Sequence, residues 1–374
     1  MRVFYAAGAS PNAYGIRESR LWKHNLFGTL VEMGHEVVPF SKDVTWHLAT
    51  YQNQMNSRRE RDLVLKYKAE LQAHLLEEIG QENDRAPFDL FFSYFWSDMC
   101  DPETIEVIKR MGIVTVNWYC NASYQFPLVE KLAPAYHYCL VPERMRLDDY
   151  RRAGANPIYC QEAANPTIYK PYDVPVSHDV VFIGQRYGNR PAYLECLAGA
   201  GVDVWAFGPG WLPDSSRYEP PWYEAGRRVK RALLGRGARS APNRATPRHG
   251  GVLSDLEYVQ MYSRCKIALG FTTTAHTPQG GESPVRQVRL RDFEAPMSGA
   301  FYMVEFFEEL SDFYRPGEEI VFFSDPNDLI QKAQYYLRHN DERERIRQAG
   351  MTRARKDHSW RSRFEMAFRE MGLA

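Results

Sequence analysis

The chain of 374 residues has no excess of either charge: Lys plus Arg and Asp plus Glu each number 47. A general polyanion binder shows a basic surplus, so nucleic acid is not the expected principal partner. No window approaches the roughly 18 apolar residues that a membrane span needs. The opening MRVFYAAGAS has too short an apolar run for a signal peptide and reads as a first strand. The cysteines Cys100, Cys120, Cys139, Cys160, Cys196 and Cys265 are scattered, with no C-x-x-C pair. They predict reduced, buried thiols rather than a disulfide frame or a zinc site. There is no H-x-x-H, D-x-D or EF-hand pattern, so no metal site is expected. The expected location is cytoplasmic.

What is present is apolar material for two cores: 44% of residues are hydrophobic and 14% aromatic, in a chain too long for one ordinary domain. Val3 to Ala6 reads as a strand, a helix follows from about Glu18 to Met33, and Glu36 to Phe40 reads as a second strand. The helix carries Leu21, Leu26, Leu30 and Met33 at helical spacing. Asn56 to Gln81 is a long polar helix. DLFFSYFW, IVTVNWY and YHYCLV are near-continuous apolar runs, as strands of a parallel sheet covered on both faces require. Their aromatics (Tyr94, Phe95, Trp96, Trp118, Tyr119) read as core. A break at 163–178 carries three prolines and little periodicity. The pattern then restarts with DVVFIG, a helix from Arg190 to Ala200, VDVWAFG, a helix from Ser254 to Tyr262, CKIALGF, a helix bearing Glu294, FYMV and EEIVFF. Asp341 to Met371 is helical and charged. Two α/β halves around a Pro-rich hinge predict two doubly wound domains, with ligands beyond the carboxyl ends of the strands.

Residues 226–250 carry eight basic side chains and no acidic one, with Gly, Pro and Ser interspersed. They read as a solvated insertion, or as an electrostatic lip for an anionic acceptor or an anionic membrane surface.

Arg289 to Glu305, RLRDFEAPMSGAFYMVE, places a carboxylate in a helix before small residues and a strand. That order suits a nucleotide-sugar pocket, because a helix N-terminus faces phosphates while a carboxylate accepts bonds from ribose hydroxyls. With YRPGEEIVFFSDPNDLIQKAQYYL and the HSWRSR segment, it resembles the C-terminal domain of GT-B glycosyltransferases, specifically the spore maturation protein CgeB-like group. The resemblance covers most of the chain and is looser over the first domain. It implies an α/β GT-B fold of two facing Rossmann-like domains: 1–170 on the acceptor side, 171–355 on the donor side, and 356–374 returning toward the first. It also implies transfer of a sugar from a nucleotide-diphosphate sugar with no tightly bound cofactor and no metal, with retention of configuration. The acceptor class left open is a glycan, a protein or a small molecule.

By the same resemblance Glu294 grips the ribose, and Arg291, on the same helical face, orients it or meets phosphate. FIGQRYGNRP ends a strand at Gly184 and offers Arg186 and Arg190 to the leaving phosphate. The loop GGESPVRQVRLR adds Gly281, Ser283 and Arg286 as donor contacts. Arg286 stands where the familiar retaining families carry a second Glu. On the acceptor side, Gly8 and Ser10 follow the first strand, Asn121 and Tyr124 end a central strand, and Asp98 is a candidate base. His358 and Trp360 are expected to fix the C-terminal helix. Two other classes fit the same pattern: a nucleotide-sugar epimerase of this fold, and a non-catalytic nucleotide-sugar-binding or assembly protein. The base, sugar, acceptor and oligomeric state are not legible in the sequence.

Overall fold

Strands that are apolar along their whole length need cover on both faces, and the chain builds two sheets that receive it. The structure is a computed structural model describing residues 1–7, 21–42, 58–212, 246–274, 276 and 284–373. In the first half, β1 (Arg2–Ala6) is followed by α1, a run of helical pieces Leu21–Lys23, His24–Gly28 and Thr29–Glu32 of which the middle one is π-helical. Next come β2 (Glu36–Pro39), α2 (Arg58–Arg85), β3 (Leu90–Ser93), α3 (Pro102–Arg110), β4 (Val114–Trp118) and α4 (Ala122–Gln125). β5 (Tyr138–Val141), α5 (Leu147–Arg152) and β6 (Pro157–Tyr159) complete it. All pairings are parallel, in the order β2-β1-β3-β4-β5-β6.

The second half runs β7 (His178–Ile183), α6 (Arg190–Gly199), β8 (Val204–Phe207), β9 (Arg248–His249), α7 (Asp255–Arg264) and β10 (Cys265–Gly270). It continues with α8 (Leu290–Met297), β11 (Tyr302–Glu305), β12 (Val321–Phe323), α9 (Pro326–Arg338), α10 (Asn340–Asp357) and α11 (Trp360–Glu370). Its parallel order is β12-β11-β10-β7-β8-β9, so the winding reverses between β7 and β10. Val180 and Phe182 pack on one face of this sheet while Val181 and Ile183 pack on the other. This is the double burial that the unbroken apolar run DVVFIG demands. Local chemistry sets the helix ends. Ser254 and Glu257 form a capping box on α7, and Asp325 accepts the N–H groups of Asn327 and Asp328 ahead of α9.

Two edge strands, β6 and β9, were not apparent in the sequence; each is too short to show a period. The helical tail expected from Asp341 to Met371 is two helices, because the chain turns at His358 and Ser359. Buried His358 donates through Nε2 to the Phe313 carbonyl at 2.8 Å, and burial pulls its imidazole down to about 4, so it stays neutral. Beyond that turn α11 carries Trp360, Phe364, Ala367 and Phe368 into the core of the first sheet. Trp360 meets Trp118 edge-to-face at 5.1 Å, and Phe364 meets Phe92 the same way at 5.8 Å. All six cysteines are free; five are buried as expected, whereas Cys196 is exposed on α6. Of the basic segment, only 246–250 is described, and there Arg248 pairs with Asp203 at 3.2 Å; the rest lies outside the described residues.

Trp360 is 1% exposed, so Trp360→Ala should cost about 3–5 kcal/mol. Chemical denaturation measures the loss, and limited proteolysis should show cleavage ahead of α11.

Candidate functional site

A cavity of about 410 Å³ opens where the second sheet reverses its winding, at the carboxyl ends of β7 and β10. Gly184, Gln185, Tyr187, Arg190, Tyr258, Arg289, Arg291 and Glu294 line it from the second half. Leu21, Asn25, Cys120, Asn121 and Glu162 line it from the first. Backbone packs closely at its floor. A Cβ on Gly184 would sit 2.8 Å from both Arg291 Nη2 and Phe182 Cζ, and one on Gly208, at φ 124°, would sit 2.7 Å from the Gly184 carbonyl.

Glu294, in the second turn of α8, is 5% exposed. Its Oε1 accepts the Tyr169 hydroxyl and its Oε2 the Tyr258 hydroxyl, each at 2.6 Å. Burial raises its pKa above the ordinary range while these two bonds and Arg291 oppose the rise. Each oxygen keeps a second lone pair for a ligand hydroxyl. Tyr169 comes from the hinge and Tyr258 from α7. Neither is marked in the sequence, since only the tertiary fold brings them to α8.

The cations beside it lack carboxylate partners among the described residues. Arg190 is 2% exposed and donates to the Gln185 carbonyl at 2.9 Å and the Tyr187 hydroxyl at 2.6 Å, with its guanidinium 3.7 Å from the Tyr187 ring centroid. Its Nε has no partner. Burial pulls it down to about 9, so it remains a cation at neutral pH. Arg291 lies 5.2 Å from the Phe182 ring centroid and also leaves a buried Nε unpaired. Arg289 spends its guanidinium on the carbonyls of Phe271 and Thr273. The loop before α6 is held by Glu305, whose carboxylate accepts from Asn189 Nδ2 at 3.0 Å and from the N–H groups of Thr272 and Thr273. A Glu closing the strand YMVE was the available signal for this anchor.

The opposite wall carries acid. Glu162 lines the cavity, and Glu143, near enough to raise its pKa, does not; each is 6% exposed, and Glu143 Oε2 has no partner. Burial pushes Glu143 up to about 8, against bonds from backbone N–H groups, Ser123 among them, and the charge of Arg146. The halves also touch directly. Ser123 Oγ donates to Gln287 Oε1, Tyr124 stacks on His276 at 4.2 Å, Arg144 pairs with Asp312 at 2.6 Å, and Tyr159 donates to Glu309 at 2.8 Å.

The structure thus brings Glu294, Arg291, Gly184, Arg190 and Asn121 to one cavity. The other expected residues that the structure describes go elsewhere. Arg186 stays in the loop because α6 begins only at Arg190; it lies 5.9 Å from the Trp211 ring centroid and does not line the cavity. Arg286 is exposed and donates to the Phe306 carbonyl at 2.7 Å. Tyr124 is occupied by His276 and donates to Asn121 Oδ1. Asp98 lies past the end of β3, in the loop that Lys68 of α2 holds through Ser97 and Asp101, and is not a lining residue. Gly8, Ser10, Gly281 and Ser283 lie outside the described residues.

Residues 201–368 match the family model described as glycosyl transferase-like. No curated protein gives a significant sequence match. Among solved structures, sucrose-phosphate synthase from Thermosynechococcus elongatus is similar at a TM-score of 0.58 and 12% identity, covering 99% of this chain and 98% of that one. Anabaena HepE in complex with UDP-glucose is similar at 0.57 and 10%, covering 100% and 99%. The E. coli trehalose-6-phosphate structure bound with UDP-2-fluoro glucose gives 0.60 and 11%, again covering 100% and 99%. The chain has the GT-B fold, with two parallel six-stranded sheets.

Glu143 sets a pH test of stability. Between its ordinary 4.5 and its folded value of about 8, the folded protein retains a proton that the unfolded chain has released. Stability contributed through this group therefore falls as pH rises through that window. Glu143→Gln should melt higher than wild type above about pH 8 and at nearly the same temperature near pH 4.5, as read by thermal unfolding across pH.

Proposed function

We propose that the protein transfers a sugar from a nucleoside-diphosphate sugar bound in this cavity to an acceptor approaching from the first sheet. One observation carries the reading. Arg190 and Arg291, neither paired to a carboxylate among the described residues, converge with the buried carboxylate Glu294 on the carboxyl ends of the second sheet. A buried donor without a partner costs about 1–3 kcal/mol, more when charged, and a bound diphosphate removes that penalty. The glycosyl transferase-like match over 201–368 and the UDP-sugar complexes of the structural neighbours support the same reading.

In this reading Glu294 accepts hydrogen bonds from the ribose, oriented by Tyr169 and Tyr258. Arg190 and Arg291 meet the diphosphate as negative charge grows on it, so the positive charge comes from guanidinium groups. The bond from the anomeric carbon to phosphate breaks as a bond to the acceptor oxygen forms. With retention, the acceptor's proton passes to the departing phosphate. Residues 171–355 form the donor side and 1–170 the acceptor side, as in the CgeB-like group.

Thermal unfolding with UDP, GDP, ADP, TDP and CMP tests the donor class. A ligand at about a hundred times its dissociation constant stabilises by about 2.7 kcal/mol. One nucleotide should shift the wild type and leave Glu294→Ala unmoved; a shift of equal size in that variant would remove the ribose role. No shift with any of them would turn the reading toward an assembly protein. Gly184→Ala should weaken the same nucleotide about tenfold by displacing Arg291, as measured by calorimetry.

A further inference from the structure

The grip on a nucleotide described above makes no use of Glu162. It follows β6, as Glu143 follows β5 and Asn121 follows β4, and these are three neighbouring parallel strands. Their carboxyl ends build the wall that faces the arginines. Glu162 lines the cavity at 6% exposure, and among the described residues no hydrogen bond or ion pair reaches its carboxyl group. Its backbone N–H is taken by Gln161 Oε1 at 2.8 Å, so the residue is fixed in place while its side chain is left open. Beside it, Glu143 Oε2 is fully buried and unpaired. An unpartnered polar group this deep costs free energy unless a ligand meets it.

We propose that Glu162 is a sugar-hydroxyl recognition residue: its carboxyl group bonds a hydroxyl of a neutral sugar held between the first wall and the arginines. The chemistry excludes the alternatives at this position. A phosphate finds no positive charge at these two carboxyls and has the arginines opposite. Burial keeps Glu162 protonated well above the ordinary carboxyl range, reinforced by Glu143 after β5 and by Glu294 and Asp292 on α8. Arg289 acts in the other direction, but its guanidinium is committed to backbone carbonyls; Cys120, after β4, is itself held as the thiol by burial. A protonated carboxyl offers one donor and acceptor lone pairs, the complement of a hydroxyl, and it has no charge with which to hold a cation.

The hydroxyl belongs either to the transferred sugar or to the acceptor, and the inference rests on the cleft being a nucleotide-sugar site. The test compares wild type, Glu162→Gln and Glu162→Ala by calorimetry. The probes are the nucleoside diphosphate that stabilises the wild type, its glucose conjugate, and free glucose added to the nucleotide-loaded protein. All three proteins should bind the bare nucleotide alike. In Glu162→Ala the advantage of the conjugate over the bare nucleotide should fall about tenfold if the hydroxyl is the donor's. A tenfold loss confined to free glucose assigns it to the acceptor.

Glu162→Gln, whose amide also donates and accepts, should match wild type at neutral pH and lose nothing in alkali, where the wild type weakens. An infrared difference between wild type and Glu162→Gln should show a protonated-carboxyl stretch at neutral pH. Its absence, or unchanged binding in both sugar arms with Glu162→Ala, overturns the assignment while leaving nucleotide binding intact. Failure of every nucleotide to bind the wild type would instead remove the donor reading, and this inference with it.

Discussion

The cleft depends on one constraint: the chain's two passages between the sheets are bonded to each other. On the way out, Ala164 donates its N–H to the His358 carbonyl at 3.2 Å; on the way back, Trp360 donates to the Ala164 carbonyl at 3.3 Å. Asn165 extends the clasp to α1: its backbone N–H meets Asn25 Oδ1 at 3.1 Å and its amide meets the His24 carbonyl and Thr29 Oγ1. Arg363 adds a bond to the Gln161 carbonyl. Two parallel sheets have no ladder in common, so without this short bridge their spacing would be set only by side chains. With it, Glu162 is fixed just before the crossing and Tyr169 just after it, one on each side of the cavity.

The two walls differ in chemistry and share one energetic condition. Arg190 and Arg291 on one side and Glu143 on the other each bury an unpaired polar atom, and Glu162 lines the cavity at 6% exposure. They do not neutralise each other. Arg289, the cation placed to do so, is turned to the backbone at Phe271 and Thr273. Desolvation therefore acts on both walls at once: it opposes the charge of the guanidinium groups, which nonetheless stay cationic, and it keeps the carboxyl groups protonated. Such groups are retained where binding gains exceed the loss in folding stability.

The sheets were legible because strands buried on both faces announce themselves: DVVFIG and CKIALG admit no amphipathic reading. Glu294 and Arg291 were legible through their place in one helix. What the sequence could not show was set by distance along the chain. Tyr169 and Tyr258 reach Glu294 from 125 and 36 residues away. Glu162 follows an edge strand of three residues, too short to reveal a sheet end. Arg186 and Arg190 read as a basic pair for the leaving phosphate, yet only Arg190 lines the cavity, since Arg186 stays in the loop near Trp211. Asp98 looked like a strand end because the aromatic run continues past Ser93, whereas the ladder stops there.

The return of α11 to the first sheet also orders the protein's birth. Trp360 and Phe364 supply the packing partners of Trp118 and Phe92, so the half synthesised first is the half completed last. While the ribosome makes the intervening sheet, at about 5–20 residues per second, the nascent first half carries an open apolar seam. The second half, whose core is made within its own span, has no such wait. Synthesis then runs from the N-terminus while consolidation runs from the C-terminal half, and the seam is the surface a chaperone would meet.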